Sequence, residues 1–232
     1  MSEISVVPLD DVAFTFAPRA WPFAQERRAE IAAHFAAKQV EIPALWNGRI
    51  LLVNDWSVAS RVLRGTYFAT DFADFLAWRD WDFPDRSVIN CFAMGAIRTA
   101  DGAFVLGVMG SHTANSGKIY FPAGTPEPDD VVGQEVDLMG NIAREVAEET
   151  GLGAADFNPA PGWTAVLDGR RLALIRVLEA RAPADQLVAR IRAHLASEEH
   201  PELDDIRMVR GRADFDPMMP PFIVAYLEHQ FA

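Results

Sequence analysis

Cysteine is almost missing from this chain: there is one, Cys91, inside the apolar run VINCFAMGAI. A single thiol excludes an internal disulfide framework and suits a reducing compartment. In so apolar a run a buried structural thiol is expected, not a nucleophile. Long apolar stretches are also missing, and none reaches the ~18 residues that a membrane-spanning helix needs. The opening MSEISVVPLDDVAF has no basic segment followed by an apolar one, so no secretory leader is expected and the cytoplasm is the expected location. Basic residues are in deficit. Lys and Arg number 21 against 33 Asp and Glu, a formal net charge of −12. That argues against nucleic acid or an anionic membrane held by general electrostatics. A small phosphate-bearing molecule stays compatible if a metal or a few local cations neutralise it. No internal repeat and no low-complexity segment is visible.

What is present is a core. Half of the 232 residues are apolar and 10% aromatic, which excludes a disordered chain. Residues 1–85 read as an N-terminal α+β extension and 86–232 as the main domain, with Pro84 in FPDR as the break. In the extension, Trp21 to Gln39 has helical spacing, and NGRILLVND reads as a turn followed by a strand. Its dense aromatics, Tyr67, Phe68 and Trp78 among them, are expected in the core, with a role as walls of a base or sugar pocket as the alternative. The main domain opens with a hairpin turning at Asp101-Gly102, and a second candidate turns at Asp168-Gly169. Helices are expected from Asp137 to Thr150, over APADQLVARIRAHLASEE and over PMMPPFIVAYLEHQF, and DDIRMVRG reads as a strand. Strand pairs interspersed with helices imply a mixed sheet covered on both faces.

The stretch REVAEETGL, Arg144 to Leu152, stands apart. On a helix Ile142 and Val146 form the core-facing stripe, and Glu145, Glu148 and Glu149 crowd an adjacent arc. Like charges at that spacing cost a few tenths of a kcal/mol per pair. They also lie near the helix C-terminus, where the macrodipole disfavours anions. Two local rules broken together point to a functional site. A hard divalent cation would turn the repulsion into coordination. Upstream, Pro122-Ala123-Gly124 puts a small turn after a strand, where a backbone carbonyl can face a metal.

Together FPAG, the acidic loop and REVAEETGL resemble the Nudix box. The family pattern is Gly, five residues, Glu, seven residues, then Arg-Glu-apolar-x-Glu-Glu-x-Gly-apolar. Arg144, Glu145, Val146, Glu148, Glu149, Gly151 and Leu152 match every fixed place of its second half, and Gly124 matches the opening glycine. Asp130 falls where the first glutamate belongs, with Glu135 as the alternative occupant. Between Asp130 and Arg144 lie residues 131–143, a spacing six residues longer than the family's.

The resemblance implies an α/β fold, a Nudix-type α/β/α sandwich with a mixed β-sheet, here with the N-terminal extension added. It implies Mg2+ or Mn2+ held by Glu145, Glu148, Glu149 and the carbonyl of Gly124. Arg144 would orient the glutamates. A further acidic residue from outside the box, acting as base or extra ligand, would be Glu202 or else Glu199, and His200 shares their loop. The implied activity is hydrolysis of a diphosphate linkage in a small nucleoside-diphosphate derivative. SHTANSGKIYFPAG is somewhat similar to the entry of coenzyme A diphosphatases, without their arginines. The layout is similar to the subgroup acting on nucleotide sugars. A non-catalytic ligand-binding or regulatory Nudix fold is the alternative, and the assembly state is open, with a homodimer one option.

Overall fold

Each Asp-Gly turn read from the sequence closes a hairpin, and both hairpins belong to the larger of two sheets. The computed structural model describes residues 4–43, 45–113 and 115–232, so the first three residues, position 44 and one position of the Ser111–Lys118 loop lie outside it. The chain runs β1 (Ser5–Leu9), β2 (Asp11–Phe16), α1 (Pro22–Glu26), α2 (Arg28–Glu41), β3 (Arg49–Ala59), β4 (Val62–Asp71) and α3 (Phe72–Asp80). Then come β5 (Asn90–Arg98), β6 (Phe104–Met109), β7 (Ile119–Tyr120), β8 (Ala123–Gly124), β9 (Val131–Val132), β10 (Glu135–Val136) and α4 (Leu138–Thr150). The last part is β11 (Phe157–Pro159), β12 (Trp163–Asp168), β13 (Arg171–Ala180), α5 (Ala184–Leu195), β14 (Leu203–Val209) and α6 (Pro221–Gln230). The helix expected over Trp21 to Gln39 is two helices, broken at Arg27. There the guanidinium lies over the Trp81 ring, 4.2 Å from its centroid.

The larger sheet has the order β1-β12-β13-β5-β6-β14, with β11, β7 and β8 attached to β13, β6 and β5. It is mixed, because β13 and β5 run parallel while the other pairs are antiparallel. Alternate residues of its strands face opposite sides, as the period of two requires. Cys91, Ala93 and Ile97 lie in one buried cluster with Ile142 and Val146 of α4 and Leu187 and Ile191 of α5. Met94 and Ala96 lie in another with Phe222, Ile223 and Tyr226 of α6. This part of the molecule is an α/β/α sandwich.

The smaller sheet, β3-β4-β2-β10-β9, turns its inner face to the first cluster through Leu51, Val53 and Tyr67. Its outer face holds Leu52 and Phe68, covered by α1–α3 with Trp21, Phe35 and Trp78. Tyr67, Phe68 and Trp78 are all fully buried, as their bulk predicts.

Strands cross the 85/86 division in both directions. β1 pairs along its whole length with β12. Residues 131–136, the extra length of the box, form the β9–β10 hairpin, and β10 joins β2 through Glu135 and Thr15. Ile89 and Val53 exchange both backbone hydrogen bonds, at 2.8 and 3.0 Å. The buried Tyr67 hydroxyl donates to the Cys91 carbonyl, 3.1 Å away. Among the described residues no helix is long and apolar enough to cross a membrane.

Candidate active site

The box helix is α4, and its ends follow from its sequence. Asp137 accepts a hydrogen bond from the Gly140 N–H at 2.8 Å, satisfying one of the free donors of the first turn. Gly151 closes the helix in the left-handed region, φ 68°, where a side chain would be strained. The His194 ring Nε2 lies 3.1 Å from the Glu148 carbonyl, placing an imidazole at the negative end of the helix dipole. Ile142 and Val146 are buried and fix the rotation of α4 over the sheet. The acidic arc therefore faces the loop that carries β8.

Glu149 is only 4% exposed and accepts a hydrogen bond from the Ala123 N–H at 3.1 Å. Burial, and then repulsion from Glu202, pushes its carboxyl well above the usual range. The Glu145 carboxylate lies against the backbone of Gly124 so closely that a Cβ there would overlap it. Burial raises it to about 7, although Arg144 pulls the other way. Glu148 is the open member, with its side chain 61% exposed.

Arg144 spans the cluster. One terminal nitrogen lies 2.7 Å from Glu145 and 3.5 Å from Glu148, and the other 3.3 Å from Asp130. Burial opposes its charge, but Glu145, Asp130, Glu148 and Glu127 outweigh that and raise its pKa. Asp130 is buried and accepts from the Glu127 N–H at 2.9 Å and from the Asn141 side chain at 3.0 Å. It meets Arg144, whereas Glu135 is exposed on β10. Of the two, Asp130 is the residue that anchors Arg144.

Glu202 precedes β14, and its carbonyl accepts from the Gly110 N–H at 2.8 Å, tying it to the start of the Ser111–Lys118 loop. Burial raises its carboxyl, with His112 opposing and Glu148 adding. Glu202 is nonetheless exposed, so solvent screens it more than Glu145 or Glu149. Glu199 and His200 are exposed in the turn after α5. Glu145 and Glu149 thus lie against the backbone of β8, Arg144 reaches Glu145 and Glu148, and Glu202 acts on Glu149 through its charge. Sequence reasoning missed Glu127 and Asn141. Glu127 is raised by burial and its acidic neighbours, and Asn141, one turn before Arg144, is fully buried under Asp130. The i, i+3 spacing from Asn141 to Arg144 was the available signal. Cys91 is buried, which lifts its thiol to about 12 and makes it inert.

Among the described residues no three acidic, His or Cys side chains converge on one point. The donor set still fits a hard divalent cation. It is all oxygen, the Glu149 carboxylate is buried and that of Glu145 half-buried, and Gly124 leaves a carboxylate room beside its backbone.

No family model and no curated protein matches the chain. It is similar to the solved structure of a Nudix hydrolase from M. smegmatis, RenU, at 14% identity over 60% of this chain and 81% of that one, TM-score 0.40. The MutT protein from Methanosarcina mazei Go1 is similar at 19% identity over 61% of this chain and 91% of that one, TM-score 0.42. A mutant of the Bacillus subtilis pyrophosphohydrolase BsRppH is similar at 15% identity over 55% of this chain and 66% of that one, TM-score 0.31.

Proposed function

We propose that this protein is a Nudix-type pyrophosphohydrolase, a metal-dependent enzyme that cleaves a diphosphate linkage in a nucleoside-diphosphate derivative. One observation carries the reading. Glu149 is buried and Glu145 largely so, its side chain 13% exposed, against the backbone of Ala123 and Gly124, with Glu148 and Arg144 on the same arc. Buried carboxylates with too few donors destabilise a chain unless a cation compensates them.

Glu145, Glu148, Glu149 and the Gly124 carbonyl would hold Mg2+ or Mn2+. Such a cation shields phosphate charge and lowers the pKa of a bound water. Arg144 keeps Glu145 and Glu148 in one orientation and is itself held by Asp130. Glu202, whose charge acts on Glu149 from outside the helix, would hold or release a proton at its carboxylate. Glu199 is the second candidate for that role. A small-molecule diphosphate fits a chain with net charge −12 better than nucleic acid does.

The test is a screen of dinucleotides, nucleotide sugars, nucleoside triphosphates and coenzyme A with Mg2+ and with Mn2+. Metal-dependent release of a monophosphate product that disappears in Glu148→Gln supports the reading. Full turnover by that variant overturns the metal assignment. A non-catalytic ligand-binding role draws on the same structure, because the acidic side chains stand apart. Metal and ligand stabilisation without turnover across the whole screen would favour it.

A further inference from the structure

Beside the acidic cluster lies a cleft of about 450 Å³, lined on one side by Ala123 and Thr125, the neighbours of Gly124. The chain as a whole has a net charge of −12, yet this cleft carries three cations, Arg79, Lys118 and Arg171, against one carboxylate, Asp168. Its local charge is therefore opposite to that of the chain, and it suits an anion.

Tyr120 of β7 lines the same cleft, two residues after Lys118. It is half-buried and packs against both buried clusters, that of α4 and that of α6. Its hydroxyl accepts a hydrogen bond from the Asn115 side-chain N–H at 3.1 Å. A phenol has one proton of its own to give, and an amide N–H cannot take it. Among the described residues no acceptor lies within hydrogen-bond distance of that proton. Burial pushes the phenol pKa up and Asn115 opposes this, while the charges of Glu149 and Glu202 add to the rise. The group is thus a donor, open to the cleft and near enough to the acidic cluster to feel its charge.

We propose that Tyr120 is a substrate-contacting residue of the site, its hydroxyl donating a hydrogen bond to a phosphate oxygen of the diphosphate, and that Asn115 is the positioning residue that turns the proton toward it. The one cation on the box helix is Arg144, and Glu145 and Asp130 already hold it. A phosphate oxygen beside the carboxylates therefore needs a donor from another element, and Tyr120 stands between the cluster and the cationic cleft. The phenol keeps its proton throughout. It supports the negative charge on phosphate oxygen as the bond to the leaving group breaks. That the anion is a diphosphate rests on the proposed hydrolysis, but the contact itself can be measured without turnover.

The full chain is titrated calorimetrically with imidodiphosphate, a diphosphate that resists hydrolysis, in the presence of Mg2+. Tyr120→Phe keeps the ring and removes the hydroxyl. Its affinity should fall about tenfold, as for one hydrogen bond to a charged group, and kcat/KM on any substrate found in the screen should fall at least as far. Tm should change little, because the partner lost, Asn115, is exposed. Asn115→Asp replaces the donor by an acceptor that captures the phenol proton. Its loss of affinity should be several-fold larger in the wild-type background than in Tyr120→Phe, where no hydroxyl remains to be turned. Wild-type affinity for imidodiphosphate in Tyr120→Phe overturns the inference, and so does a wild-type chain that does not bind it. An equal loss from Asn115→Asp in both backgrounds overturns the role of Asn115. Binding that depends on Tyr120 without hydrolysis of any diphosphate leaves the inference standing and removes the proposed activity. Hydrolysis that Tyr120→Phe leaves unchanged does the reverse.

Discussion

The Glu149 carboxylate accepts a hydrogen bond from the backbone N–H of Ala123, across 26 residues of sequence. That contact locks the box helix to the loop of Gly124 and keeps an acid buried that the interior disfavours.

Replacing Glu149 by Gln separates the two roles. The amide oxygen still accepts from Ala123, and no buried carboxylate remains. Differential scanning fluorimetry should show Tm unchanged or higher in the metal-free protein, while turnover falls about 100-fold or more if the residue is a metal ligand. A variant that loses both together would mark Glu149 as structural only.

Gly124→Ala puts a methyl where the Glu145 carboxylate lies. Overpacking of this kind costs about 1–3 kcal/mol. Mn2+ affinity, followed by the metal-induced rise in Tm, should drop about tenfold or more, because Glu145 must turn away. Wild-type affinity in this variant would remove Gly124 and Glu145 from the site.

Acidity should act on the site in a definite direction. Glu145 is raised to about 7 from an ordinary value of 4.5. Between those values the folded chain holds a proton that the unfolded chain has released. Its contribution to stability is thus fully present below about 4.5 and lost as pH rises through 7. Urea midpoints of the metal-free protein should decline over that window, and Glu145→Gln should flatten the decline. Mn2+ binding must displace the proton and should weaken as pH falls below 7.

Tyr67→Phe deletes the hydroxyl that donates to Cys91 between the two sheets. The expected cost is about 1 kcal/mol of unfolding free energy. Because the inner face of the smaller sheet shares a core with the larger one, denaturation followed by fluorescence and by circular dichroism should give one coincident transition. Two separated transitions would show independent units.

Local chemistry made much of this legible from sequence. The ends of α4 were written in Asp137 and Gly151, and two hairpins in their Asp-Gly turns. The β3–β4 hairpin was not, because it turns at Ser60 and Arg61, which take φ of 50° and 59° without glycine or asparagine. The pairing of β1 with β12 links residues too far apart for any periodicity to reveal. At the site, the three glutamates stood out because they break local rules. Asp130 was placed by spacing, but its hold on Arg144 depends on the loop's path. That Phe72 and Phe75 line a cleft with Ala123 and Thr125 stayed hidden, because both read as core from composition.

The exchange of strands between the two sheets bears on how the polypeptide can be shortened. A fragment that began at Arg86 would leave β12 without β1 and β10 without β2, exposing two rows of unpaired backbone donors and acceptors. Such open edges invite chain-to-chain pairing, and trimming the first 85 residues would thus convert a folded chain into a self-associating one.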